Sequence, residues 1–217
     1  MDECELAREV RDVSGFSSVE LSGTGVLTVA LGDEESLEIE ADPRIMDRIT
    51  SDVDAGTLRL GLTKGSWLRS LKCDGIVFKA TMKEVRSLSL SGAGTIEADG
   101  LTAGSLDLLL SGNGRLIARG LSVEEVRVKL SGQGECELAG DCGSQELTLS
   151  GVGKHLAREL KSRTAKITIS GAGDAVVDVS ETLDVTISGV GNVECHGEAT
   201  VFRRVTGSGS VTCAADG

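Results

Sequence analysis

One tetrapeptide governs what this chain can become. SGxG occurs at Ser91, Ser111, Ser131, Ser150, Ser170 and Ser188, and a TGSG variant follows at Thr206. Successive copies stand 20, 20, 19, 20, 18 and 18 residues apart. An earlier copy, SGTG, starts at Ser22, 69 residues before the next. A unit of this size is too short for a propeller blade, an ankyrin repeat or a helical hairpin. It matches one coil of a β-solenoid.

Aligning the copies on their Ser or Thr reveals a period of two. The position before it reads Leu90, Leu110, Leu130, Leu149, Ile169, Ile187 and Val205. Two residues earlier stand Leu88, Leu108, Val128, Leu147, Ile167, Val185 and then Arg203. Beyond the motif come Ile96, Leu116, Cys136, His155, Ala175, Val193 and Val211, then Ala98, Ala118, Leu138, Ala157, Val177, Cys195 and Cys213. Alternation on both sides predicts strands flanking a bend, with at least six coils over 86–213 stacked about 4.8 Å apart. Odd positions about each motif should face inward.

The polar positions support the same register. Asp107, Arg127, Glu146, Lys166 and Asp184 alternate in sign from coil to coil, as do Arg115, Glu135, Lys154 and Asp174. Stacked side chains of like charge repel, so alternation is what an in-register stack favours. The motif glycines are expected to permit positive φ and a tight corner without Cβ clashes, and the serine hydroxyls to bond neighbouring backbone. A phosphate loop is not indicated, because no helical pattern follows any copy.

Residues 1–85 read as a less regular, strand-rich part and cap of the same domain, with 86–217 as the repeat coils. PRIMDRI, from Pro43 to Ile49, predicts a short helical turn.

Composition removes several functions. The chain has 217 residues, a formal net charge of -12, one Trp, three Phe and no Tyr. It lacks the basic surface and the stacking rings that nucleic acids require. No apolar run is long enough for a membrane helix. The opening MDECELAREV has no apolar core of a signal peptide. Cys4 has no lipobox before it, and Cys4, Cys73, Cys136, Cys142, Cys195 and Cys213 contain no CxxC pair. Cys195 and Cys213 fall at one position of adjacent coils, and free thiols are expected there because parallel strands keep their Cβ vectors parallel.

The stretch REVRDVSGFSSVELSGTGVLTVALGDEESLEIEADPRIMDRITSDVDAGTLRLGL resembles the opening of the bacterial auto-transporter adhesins with a head GIN domain. The serial SGAG, SGNG, SGQG, SGVG, SGAG and SGVG coils resemble the rest of that family. The resemblance spans about residues 8–213. It implies a right-handed parallel β-helix, exported to the cell envelope or surface, and it brings no catalytic motif with it.

Candidate sites are few. Trp67, with Lys64, Arg69 and Lys72 around it, is a candidate sugar platform; the competing reading is a cap residue. His155 falls on an inward ladder where the coil is one residue short, so a slip that turns Leu156 inward is expected. His196 is expected to face solvent, and as Cys195's neighbour on a strand it points the other way, which argues against a nucleophilic pair. No carboxylate pair has the spacing for acid and base work, and no metal or cofactor is expected. The leading function is a non-enzymatic envelope or surface protein that binds a glycan, or an envelope or host protein, with self-association left open. The rival is a lyase-like polysaccharide enzyme, which needs outward acids and bases gathered on one face.

Overall fold

A computed structural model describes residues 6–63 and 75–214. Among these residues seventeen strands make one sheet that winds as a parallel β-solenoid of about six turns, with coils of roughly 20 residues. The strands are β1 (Ala7–Arg11), β2 (Ser18–Leu21), β3 (Val26–Leu31), β4 (Ser36–Ala41), β5 (Ile49–Asp54), β6 (Thr57–Leu62), β7 (Val77–Met82), β8 (Ser87–Leu90) and β9 (Thr95–Asp99). Then come β10 (Thr102–Leu110), β11 (Arg115–Leu130), β12 (Glu135–Leu149), β13 (Lys154–Ile169), β14 (Asp174–Ile187), β15 (Asn192–His196), β16 (Thr200–Val205) and β17 (Ser210–Ala214). The expected helical turn is a single 3-10 turn at Met46–Arg48.

The register is the one the repeat dictates. Leu88 pairs with Leu108, Leu108 with Val128, Val128 with Leu147, Leu147 with Ile167 and Ile167 with Val185. All of these are at most 1% exposed. Every strand pair flanking a motif is parallel; the antiparallel pairs are β1–β4, β4–β7 and β5–β6, near the N-terminal end. Each buried Leu or Ile contributes roughly 1.5–3 kcal/mol. At the last coil the ladder opens: Val205 is 38% exposed and Cys213 is exposed, because no described strand stacks beyond them.

The early SGTG finds its place in space rather than in sequence. The Ala93 amide donates to the Gly23 carbonyl at 2.7 Å, so the Ser22 and Ser91 motifs are stacked neighbours. Between them the chain leaves the stack and lays β6 beneath β2 and β7 beneath β3.

Of the two roles expected of the motif glycines, the serial copies use the room left by the missing Cβ and not positive φ. In the serial copies their φ is not positive. Instead the coils approach so closely at the bend that no Cβ fits. A Cβ on Gly112 would sit 1.8 Å from the Gly92 carbonyl oxygen, and one on Gly132 would sit 1.9 Å from that of Gly112. Positive φ occurs in the first copy, at Gly23 and Gly25. The stacking bonds come from backbone, as in Ser111 N–H to the Leu90 carbonyl at 3.0 Å. Among the described residues, motif hydroxyls bond backbone at Ser22 and Thr206.

Candidate functional site

Two walls of the solenoid flank the SGxG bend, and a third closes each coil. The third wall is built by the middle stretches of the long strands, where Ala103, Val123, Cys142, Ser162 and Val179 pair in turn as its inward ladder. Here the register shifts between Ala118 and Leu121, between Glu137 and Ala139, and between Ala157 and Lys161. The wall is dented, and a groove of about 960 Å³ runs across the coils.

Two rows line it, outward except for the buried Asp178 at the end of the first. One row is Thr102, Ser122, Asp141, Lys161 and Asp178, each the register partner of the next. The other is Gly104, Glu124, Gly143 and Arg163. Glycine in alternate coils leaves a notch between larger side chains. A Cβ on Gly143 would come 3.2 Å from a guanidinium nitrogen of Arg163, so Arg163 lies across that notch.

The groove floor leads to a polar island in the core. Ser162 Oγ accepts a hydrogen bond from Gln145 Nε2 at 2.8 Å and donates to the Asp178 carbonyl at 2.7 Å. Gln145 Oε1 lies 3.4 Å from His155 Nε2. Lys161 pairs with the Asp178 carboxylate at 2.5 Å. Burial pushes the His155 imidazole down to about 4, so it is neutral at pH 7. Burial, reinforced by Asp141, pushes the Cys142 thiol up to about 11 and keeps it an unreactive thiol at neutral pH.

The histidines are not where the sequence reading put them. His155 keeps its ladder position between Cys136 and Ala175 and is fully buried, while Leu156 is half-buried. The missing residue of that coil is absorbed by the register shift after Glu137, so no slip occurs at His155. Gln145 gives the ring a polar partner inside the core. His196 is 4% exposed rather than solvent-facing. Asp178 and Ala214 are its register neighbours, and Glu194 Oε1 lies 2.8 Å from its Nε2.

Trp67, Lys64, Arg69 and Lys72 lie outside the described residues, as do Cys4 and Cys73. Cys136, Cys142, Cys195 and Cys213 are free thiols. Among the described residues no group of three or more His, Cys, Asp or Glu is arranged to hold a metal ion. None of their helices is long and apolar enough to cross a membrane.

The groove offers hydroxyls, carboxylates, an ammonium and a guanidinium at coil-to-coil intervals. Ser162 is not set up as a nucleophile. The Ser162 proton is committed to a carbonyl, and Gln145, not an imidazole, is the side chain bonded to its oxygen.

Fold and groove together define a repeat-built scaffold with a long, shallow groove that carries polar and charged side chains among apolar ones. The chain belongs to the family described as "Putative auto-transporter adhesin, head GIN domain", whose model matches residues 15–199. Solved structures share the fold. A "putative adhesin" from Bacteroides fragilis superposes with a TM-score of 0.89 at 22% identity, covering 97% of each chain. A "Putative lipid binding protein" from Parabacteroides distasonis gives 0.74 at 19% identity over 98% of each. A "putative adhesin" from Parabacteroides merdae gives 0.73 at 19% identity over 98% of this chain and 97% of that one. No curated protein matches the chain.

Proposed function

We propose that this protein is a non-enzymatic binding protein of the cell envelope or surface, and that the third-wall groove holds its ligand. The ligand class is an extended polar chain, a glycan or a segment of an envelope or host protein. One observation carries the reading: the groove presents donors and acceptors across successive coils, while Ser162 in its lining and the buried His155 beneath are held in bonds unsuited to catalysis. Family membership supports the adhesive role and the envelope location. The lyase-like alternative asks for acids and bases converging on one bond. Here Lys161 is tied to Asp178, and the ladder charges compensate each other, as in Arg115 with Glu135 at 2.6 Å.

The test is an array of glycans and envelope proteins probed with the purified chain and with Glu124→Ala/Arg163→Ala. Retention that the double substitution weakens supports the groove. Retention that it leaves unchanged moves the ligand elsewhere on the molecule.

A further inference from the structure

The two ends of the solenoid complement each other. One wall stacks in the order β5, β6, β2, β8, β10, β11, β12, β13, β14, β16. Its end strands are therefore β5 at the N-terminal end and β16 at the C-terminal end. Among the described residues, each pairs on one side alone. The neighbouring wall ends in the same way, with β1 at the N-terminal end and β17 at the other.

An unpaired strand edge is a template for another strand. These edges also carry much of the exposed apolar surface: Val10 is 70% exposed and Val53 37% at one end, Phe202 59% and Val205 38% at the other. Charge decides which end meets which. β16 presents Arg203 and Arg204, both exposed, on a chain whose net charge is -12. β5 presents Asp52 and Asp54, also exposed. Two C-terminal ends would bring arginines together, and two N-terminal ends would bring aspartates together.

We infer that copies of this chain associate head to tail, with β16 of one pairing against β5 of the next. Because β5 runs antiparallel to β6, the new pair is antiparallel. A register that sets Arg204 opposite Asp52 keeps Arg203 and Val205 on the same side as Val53 and Ser51. In that register outward residues remain outward, Val205 meets Ser51 on the inward side, and Arg203 lies on that side over Val53, at the edge of the core. A contact between two different patches closes only if the rotation between copies makes a ring; stacking along the coil axis makes none, so the product is an open filament rather than a dimer. This inference does not depend on what the groove binds.

The experiment is sedimentation velocity and electron microscopy on the full chain across concentration and salt. Two variants accompany it, Arg204→Glu and Asp52→Arg, each at an exposed position with its fold checked by circular dichroism. The wild type assembles into concentration-dependent rods that shorten as salt rises. Each variant alone places like charges across the contact and weakens assembly roughly tenfold. Their one-to-one mixture restores every contact as an Arg–acid pair and recovers the rods. A wild type that stays monomeric, a species that stops at a dimer, or assembly indifferent to both variants overturns the inference.

Discussion

His155 Nε2 stands 3.4 Å from Gln145 Oε1 inside the solenoid, two polar side chains brought together across the core from different walls. Neither reaches solvent: His155 is 0% and Gln145 3% exposed. The imidazole is therefore held neutral, well below its ordinary range, by burial. Its folded value of about 4 against an ordinary 6.5 means that the unfolded chain takes up the proton first. Stability from this residue is complete above about pH 6.5 and is lost as pH falls toward 4, by about 3 kcal/mol in all. Urea unfolding at a series of pH values checks it. His155→Leu flattens the profile between those limits relative to wild type, and parallel profiles would contradict the assignment.

The glycine argument separates two substitutions that look alike in sequence. Gly112→Ala drives a Cβ into the Gly92 carbonyl and should cost about 3 kcal/mol or more, since backbone cannot step aside at one rung alone. Gly104→Ala meets nothing within 4 Å and should stay within about 0.5 kcal/mol of wild type. Denaturant midpoints of the two variants, measured side by side, settle the contrast.

Thiol reactivity follows exposure. Cys213 is exposed, whereas Cys136, Cys142 and Cys195 are buried. Burial above all, with Cys213 bonded alongside, pushes the Cys195 thiol up to about 12. Its hydrogen goes to the His196 carbonyl at 3.4 Å. Of these four, native alkylation followed by mass spectrometry should label Cys213 and spare the rest. A Cys195–Cys213 disulfide in native material would contradict the free-thiol assignment.

The charge ladders tune register modestly. Glu135 pairs with Arg115 at 2.6 Å and is the register neighbour of Lys154 on its other side. Glu135→Lys sets three cations in a row and should cost about 1 kcal/mol at low salt, less as salt rises. Thermal unfolding at two ionic strengths reads both the loss and its screening.

The inward ladders were legible because side chains on a strand alternate and the coils repeat. Leu90, Leu110 and Leu130 could be placed from spacing alone. His155 was misjudged because a polar residue on an inward ladder suggested slippage, and its partner Gln145 comes from another wall whose proximity no periodicity reveals. The groove was missed for a related reason. The register shifts after Ala118, Glu137 and Ala157 break the period on the third wall, so its residues align poorly from coil to coil. A signal was present in Gly104 and Gly143, glycines outside SGxG that face the same way two coils apart. That the motif glycines leave no room for a Cβ was legible; that the clash is with the neighbouring coil was not, since it lies in the distance between stacked coils.

The proposed function requires that the groove hold a ligand and leave it chemically unchanged. The direct measurement is to incubate the chain with the molecule it retains on the array and weigh the recovered ligand by mass spectrometry. The expected result is saturable retention, weakened by Glu124→Ala/Arg163→Ala, with the ligand recovered at its original mass. Shortened or unsaturated products that vanish with a groove substitution would contradict it.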